Sequence, residues 1–453
     1  MYETAKFKEK LKLFMTILVP ILITQISMYL MNVFDTVMSG HASAFDLAGV
    51  AIGSSLWVPV FTGINGILLA ITPIVSHLIG ARDHESISAK VQQGLYIAVS
   101  LALAVLIIGF FLLNPILNLM DLEAEVRHVA KFYLIALAAG IVPLFIFNTI
   151  RCFIDALGQT RVSMFIILVA LPINVVFNYI FIFGKFGLPA FGGVGAGIAT
   201  AITYWIVCII AILMAVRMSP FSSFRIFSGW KKPLAADWKE QLKIGVPIGF
   251  ATFFETSIFS GVTILMSVYS TYTIAAHQAA MNFYSLLYMI PLSVGMALTI
   301  AIGFEAGAKR YQAAKTYAAI GLFSGVLIAV IVGVILLAAS GEVASWYNTD
   351  PKVVAMTRHF LLYAIILQLA DAFGAPLQGA LRGYKDVNAT LYMALVSYWV
   401  IGLPAGWLLA RYADLGPSGY WIGLILGLSA GTLALFFRLG RVQKRIKKKY
   451  ESI

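Results

Sequence analysis

VPILITQISMYLMNVFD at residues 19–35 and VPIGFATFFE at residues 246–255 start two apolar stretches with the same Val-Pro-Ile triplet, 227 positions apart. That spacing is half of the 453 residues, and it persists along the chain. Leu47-Ala48 falls on Ile274-Ala275, Gly80-Ala81-Arg82 on Gly307-Ala308-Lys309, and Glu123 and Val126 on Asp350 and Val353. The offset drifts to 225 at the basic loops around Gly158 and Gly383, and is 226 where Gly193-xxx-Gly197 meets Gly419-xxx-Gly423. Apolar helices resemble one another by chance, so each match is weak alone. A register held through most of the chain is not accidental, and the sequence reads as two copies of one unit.

The copies are built for lipid. The chain is 60% hydrophobic and 11% charged, with a mean hydropathy of +0.90, a composition that excludes a soluble domain of this size. Apolar windows of about 20 residues, the length that crosses ~30 Å of hydrocarbon, recur twelve times, centred near residues 27, 60, 102, 140, 174, 205, 254, 288, 326, 366, 399 and 428. Alternating polar and apolar strands are absent, which excludes a barrel. The fold class is therefore an all-α polytopic membrane protein, with twelve transmembrane helices in two six-helix bundles. Six is even, so both halves enter and leave on one side. The repeats are then parallel, related by a pseudo-twofold along the membrane normal, and the expected substrate path is the cavity between them. The division expected is an N-terminal lobe at 1–218, a cytoplasmic linker at 219–239 with Pro220, Gly229 and Pro233, a C-terminal lobe at 240–438 and a basic tail at 439–453.

Charge orients the chain. With the N-terminus cytoplasmic, that side receives 26 of the 32 Lys and Arg, leaving only Arg127, Lys131, Lys185, Lys352, Arg358 and Arg411 outside. That asymmetry places both termini in the cytoplasm of a cell (inner) membrane protein. Arg151, Arg161, Arg382 and Lys385 are counted here among the short cytoplasmic loops. The net charge of +12 raises the question of nucleic acid, but the basic tail directly follows a span, so lipid headgroups are the expected partner and nucleic acid is not. Cys152 and Cys208 lie in or beside spans and offer neither a disulfide framework nor a metal signature. The N-terminal Lys6, Lys8, Lys10 and Lys12 precede a long apolar run without a small-residue cleavage site, read as an uncleaved first span.

Polar residues inside spans carry the chemistry. Asp35, Glu255 and Asp371 stand within the first, seventh and tenth spans, where an ionised side chain costs roughly 2.5 to 3.5 kcal/mol on insertion scales. Most other acids fall in loops, and Asp155 and Glu305 sit at span ends, solvated or paired with Arg151 or Lys309. Glu255 and Asp371 lie near mid-depth and can hold one cation between them or share a proton. No span centre holds a Lys or Arg that would pair with the three acids. They must be protonated, cation-bound or in a water-filled cavity. Asn174 and Asn178 are an i, i+4 pair on one face of the fifth span; their amide oxygens can ligate Na+, accept from a carboxyl, or glue helices together. If that face turns toward Asp35, the three form a polar pocket in the N-half. Gln278 and Tyr288 on the eighth span can serve the C-half likewise, Tyr288 also facing a cationic ligand. Pro20 and Pro247 occupy equivalent places and permit kinks in the first helix of each half.

No Walker motif, phosphate loop, metal-spaced His or Cys cluster or nucleophile elbow is present, so the chain is not read as an enzyme and is expected to hold no cofactor. His41, His84, His128 and His359 lie at span edges or in loops, and His77 near a cytoplasmic end. Only His277 could join a cavity. The energy source expected is an ion gradient rather than ATP.

Twelve spans in two parallel halves, a Pro in each first helix, and Asp35, Glu255 and Asp371 in spans one, seven and ten together resemble the multidrug and toxic compound extrusion (MATE) transporters, specifically the NorM-like branch. The resemblance covers the whole chain, including Ala156-Leu157-Gly158-Gln159-Thr160-Arg161 and Gly193-Val194-Gly195-Ala196-Gly197. It implies secondary active efflux of small organic, mostly cationic compounds by antiport with Na+ or H+, with alternating access between two lobes. It further implies that Glu255 and Asp371 form a coupling-cation site that can take Na+ and meets substrate, that Asp35 with Asn174 and Asn178 forms a second site, and that Gln278 and Tyr288 lie near the cation or the drug. A monomer is expected. One departure concerns the position a turn before Asp371, where relatives are expected to carry Tyr and this chain has Leu367 and then Gln368. A lipid-linked oligosaccharide flippase shares the architecture, but would line its cavity with Arg or Lys for pyrophosphate. A receptor or membrane enzyme would predict neither the half-length repeat nor the missing catalytic cluster.

Overall fold

The computed structural model describes residues 3–451, with side chains through Lys448, so Met1, Tyr2 and the end of the basic tail lie outside the described residues. Within them the chain is helical, without strands. Eleven helices are long and apolar enough to cross a membrane: α1 (Phe7–Ala42), α2 (Ala44–Gly80), α3 (His84–Leu119), α5 (Thr160–Phe183), α6 (Gly193–Arg217), α7 (Ala235–Met266), α8 (Thr271–Gly307), α9 (Tyr311–Tyr347), α10 (Pro351–Gly383), α11 (Asn388–Tyr412) and α12 (Pro417–Lys448). Between α3 and α5 the pair Ala124–Ala138 and Ile141–Ala156, bent by 52° at Ala139-Gly140, passes the same test together and is taken as α4, the twelfth span. Gly140 sits at this corner because a Cβ there would lie 2.8 Å from the Ala201 backbone of α6. Pro143 falls in the first turn of the second segment, where its missing N–H disrupts little.

The described residues cluster into two compact units: one holds residues up to Leu22 together with those from Val246 onward, the other Ile23–Gly245. Both changes of unit therefore fall within three residues of Pro20 or Pro247. The expected N-terminal lobe began at residue 1, whereas the start of α1 packs with the C-terminal residues. Phe14, Ile17 and Leu18 share a core with Val294, Leu298, Tyr317 and Leu377. The Thr4 hydroxyl meets that of Tyr317 at 3.0 Å, and the Lys10 ammonium lies 5.7 Å from its ring centre. Hydropathy sums could not show this, because an apolar helix reads the same whichever neighbour it packs against.

The segment expected to be a linker is docked instead. Gln92 of α3 donates to the carbonyls of Ile226 (3.2 Å) and Ser228 (3.0 Å) and accepts from the Lys231 amide. Gln93 donates to the Lys232 carbonyl and accepts from the Leu234 amide and the Trp238 indole, each within 3.1 Å. Lys90 pairs with Asp237 at 2.8 Å and with Glu240. Polar loop composition signals exposure on average, but two adjacent glutamines here satisfy the loop's backbone and hold it against α3. The basic tail likewise continues helix α12 for as far as it is described, and Arg438 grips Asp386 with two bonds of 2.7 and 3.0 Å.

Two close helix approaches depend on glycine. A Cβ at Gly295 of α8 would stand 2.6 Å from the Ala375 carbonyl oxygen of α10, and the Thr299 hydroxyl donates to the Gly379 carbonyl at 2.9 Å across the same contact. In the Gly193-xxx-Gly197 stretch, a Cβ at Gly197 would lie 2.6 Å from the Tyr133 carbonyl oxygen of α4. Small residues let backbones approach where lipid supplies no hydrophobic drive.

Candidate functional site

In the unit formed by Ile23–Gly245, the C-terminal part of α1 carries Asp35, which is buried. The Asn178 amide donates to its Oδ1 at 2.6 Å and the Thr200 hydroxyl to its Oδ2 at 2.8 Å. Asn178 also donates to Asn174 Oδ1 at 3.2 Å, and Asn174 to Thr200 Oγ1 at 3.3 Å. The i, i+4 face of α5 thus does turn toward Asp35, and α6 closes the ring. Thr200 escaped the sequence reading; it lies three residues past Gly197, where the glycine stripe brings α6 close, but a lone Thr in an apolar span gives no separate signal.

In the other unit α7, α8, α10 and α11 converge on two buried carboxylates. Glu255 accepts from the Tyr288 hydroxyl at 3.0 Å and the Tyr398 hydroxyl at 3.4 Å. Asp371 accepts from the Tyr284 hydroxyl. Tyr284 and Tyr288 are four apart on α8, so one helical face delivers a hydroxyl to each acid. Their rings are 6.4 Å apart. Tyr398 reaches Glu255 from Leu395–Gly402, a stretch of α11 wound as a π-helix, in which Leu403 N–H reaches back five residues to the Tyr398 carbonyl. Pro404 follows and lacks the N–H of a regular turn, which favours the wider winding.

Tyr288 was legible in the sequence, whereas Tyr284 and Tyr398 were not. The i, i+4 spacing of Tyr284 and Tyr288 is the one local signal for the pair; the π-turn leaves none. Gln278 does not join the cluster. It is exposed, and ten positions from Tyr288 is about 15 Å along a helix. His277 is a core residue, its Nε2 meeting the Thr263 hydroxyl at 3.2 Å and its ring edge-on to Trp421. Before Asp371, Leu367 is buried in the core and Gln368 donates to the Leu287 carbonyl at 3.0 Å, so the hydroxyl that serves Asp371 comes from α8 rather than from its own helix.

Two expectations about charge need correction. Arg151 and Arg382, assigned to basic loops, lie inside α4 and α10 and are only 2% and 8% exposed. Arg382, in the last turn of α10, donates to Gln378 Oε1 at 3.1 Å. Glu305, expected to be solvated or paired with Lys309, is fully buried and bound by Arg310 at 2.5 Å. Asp155 is buried beside Arg151. Helix ends rich in base look like loops in a hydropathy plot, although their polar groups can fold back into the bundle.

Among the described residues no three His, Cys, Asp or Glu gather as they would around a transition metal. The donors present are carboxylates, hydroxyls and amide oxygens, hard ligands that suit an alkali cation or a proton. In a dry interior such groups act strongly on any cation that reaches them.

The MatE family model matches the chain twice, at residues 20–180 and 247–408, one match for each half, with starts at Pro20 and Pro247. A protein of Oceanobacillus iheyensis described as a probable multidrug resistance protein NorM is 61% identical over 98% of this chain and 100% of its own length. A Bacillus subtilis protein of the same description is 54% identical over 99% of both chains. Among solved structures, a multidrug resistance MATE family transporter in an outward-facing conformation superposes with a TM-score of 0.89 at 18% identity, covering 99% of this chain and 100% of its own. The eukaryotic MATE transporter AtDTX14 gives 0.86 at 22% identity, over 98% of this chain and 99% of its own. A repeated family match across both halves, near-complete coverage by bacterial relatives and a shared fold make this chain a member of the MATE family of multi-pass membrane transporters.

Proposed function

We propose that this protein exports small organic, mostly cationic compounds by antiport with Na+ or H+. The observation that carries this reading is the pair Glu255 and Asp371, two buried carboxylates each held by a tyrosine hydroxyl from one face of α8. The multidrug resistance descriptions of its bacterial relatives support the substrate class. Competition provides the mechanism. Entry of Na+ or H+ neutralises the carboxylates, weakens their hold on a cationic compound and favours the state open to the cytoplasm; departure of the ion restores the charge that recruits the next substrate. The ion drives alternating access between two lobes only through its different affinity for the two states. Asp35, with Asn174, Asn178 and Thr200, forms a second site of the same chemistry in the other unit. The Lys and Arg asymmetry supports an inner-membrane protein with both termini cytoplasmic, and a monomer is the oligomeric state proposed.

The test is efflux of a fluorescent organic cation from proteoliposomes under separately imposed Na+ and proton gradients. Glu255→Gln and Asp371→Asn should each lose gradient-driven efflux while remaining folded. Wild-type transport by both variants would refute the assignment.

A further inference from the structure

Residues 226–243, IFSGWKKPLAADWKEQLK, interleave four lysines with two tryptophans and two leucines, and the antiport reading uses none of them. Their helical part opens α7 at Ala235, and its charges are sorted by face. Asp237 and Glu240 turn toward α3 and pair with Lys90, whose carbonyl accepts from the Gln241 amide at 2.8 Å. Lys239 and Lys243, four apart on α7, are exposed, and neither meets an acid among the described residues. The acids of the segment are thus neutralised at α3, while its lysines face out.

Beside these two lysines runs an open groove of about 720 Å³, lined chiefly by Leu234, Trp238, Lys239, Leu242 and Lys243. Its side chains are apolar apart from the lysines. It is also a built feature rather than a loose loop. The Trp238 indole donates to Gln93 Oε1 at 3.0 Å, the Leu234 amide donates to the same oxygen at 3.0 Å, and Trp230 stands edge-on to Tyr96 of α3 at 5.6 Å. Even so, Trp230 is 48% exposed and Leu234 49%.

Depth decides what such a groove meets. At 1.5 Å per residue the 36 residues of α3 span about 54 Å, so the helix overhangs a hydrocarbon core of ~30 Å by several turns. Lys90 is its last charged residue, and Gly94 begins the run that crosses. Lys90, Gln92 and Gln93, which hold the docked segment, therefore stand at the edge of the hydrocarbon, at headgroup level. Indole rings settle at that depth, and lysines there attract anionic lipid.

We propose that this groove binds one anionic phospholipid, with an acyl chain along Leu234, Trp238 and Leu242 and the phosphate held by Lys239 and Lys243. The volume falls in the range of small-molecule sites, and a groove already fixed by Gln93 loses little freedom on binding. The start of α7 adds the positive end of a helix to the same place. The inference is independent of the antiport reading, because the groove holds none of the intramembrane carboxylates.

The test is native mass spectrometry of the purified full-length protein, released from micelles doped with phosphatidylglycerol or with phosphatidylcholine of identical chains. The wild type should retain one phosphatidylglycerol in preference to phosphatidylcholine. Each lysine near a membrane surface strengthens such binding about fivefold, so Lys239→Gln with Lys243→Gln should weaken it about thirtyfold. Lys239→Arg with Lys243→Arg should keep it, as should Arg441→Gln with Lys444→Gln in the basic tail. Retention of both lipids alike by the wild type, unchanged retention by the double glutamine variant, or an equal loss in the tail variant overturns the proposal. Displacement of the lipid by millimolar inorganic phosphate assigns the groove to a soluble anion and also overturns it. Where the double glutamine variant folds poorly, Leu234→Asp decides: an acid in the wall should weaken retention at least fivefold, and no change refutes the site.

Discussion

Asn178→Ala removes the shortest bond to Asp35 without touching the carboxylate itself. In the native protein the Asn178 amide donates to Asp35 Oδ1 at 2.6 Å and to Asn174 Oδ1 at 3.2 Å, and all three side chains are buried. A bond to an ionised carboxylate contributes about 1.5 to 3 kcal/mol and a neutral one about 0.5 to 1.5, so the substitution should cost roughly 2 to 4 kcal/mol when Asp35 is charged. In an Asp35→Asn background the first bond becomes neutral and loses about half its strength. The coupling between the two positions should therefore be about 1 kcal/mol, above the average of roughly 0.6 and below the maximum of roughly 1.7 found for hydrogen bonds in membrane bundles. The assay is a double-mutant cycle on unfolding by sodium dodecyl sulfate in mixed micelles, with fluorescent-cation efflux measured in parallel. If Asn178→Ala costs the same in both backgrounds to within about 0.3 kcal/mol, the contact is not charge-assisted. The reading of Asp35, Asn174 and Asn178 as one ion-responsive pocket is then refuted.

Other expectations follow from the same contacts. Tyr284→Phe removes the hydroxyl that serves Asp371 and should shift half-saturation by the coupling ion about tenfold, as expected for one bond to a charged group; an unchanged titration would show the hydroxyl to be idle. Gly295→Ala puts a methyl group 2.6 Å from the Ala375 carbonyl oxygen and should destabilise the protein by about 1 to 3 kcal/mol, read from the same unfolding titration. Gln93→Ala strips the Lys232, Leu234 and Trp238 contacts from α3, so limited proteolysis should cut between residues 225 and 238 faster than in the wild type. Equal cleavage rates would mean the docked segment is held by other groups.

Much of the fold was legible because a bilayer demands long apolar runs and permits few charges. Twelve windows became eleven long helices and one bent pair, and the half-length register was met by two matches to one family model. Asp35, Asn174 and Asn178 were readable as one pocket because i, i+4 spacing puts two amides on one face and because a carboxylate in a span stands out. Gln278 lies apart from the carboxylates, since polarity in a span does not say which way it faces. Arg151 and Arg382 were misplaced because helix ends and loops share a basic composition, and only packing shows that these two turn inward.

The sequence alone determines the class of this protein, the count of its spans, its duplication and the identity of its intramembrane acids, since each follows from local hydropathy or from register. The tertiary structure decides which polar groups meet. Lipid and protein interior are equally apolar, so a spanning helix shows no strong stripe to mark its inner face, and side chains separated by more than a hundred residues, such as Glu255 and Tyr398, or Asp35 and Asn178, are joined by packing that no local pattern records.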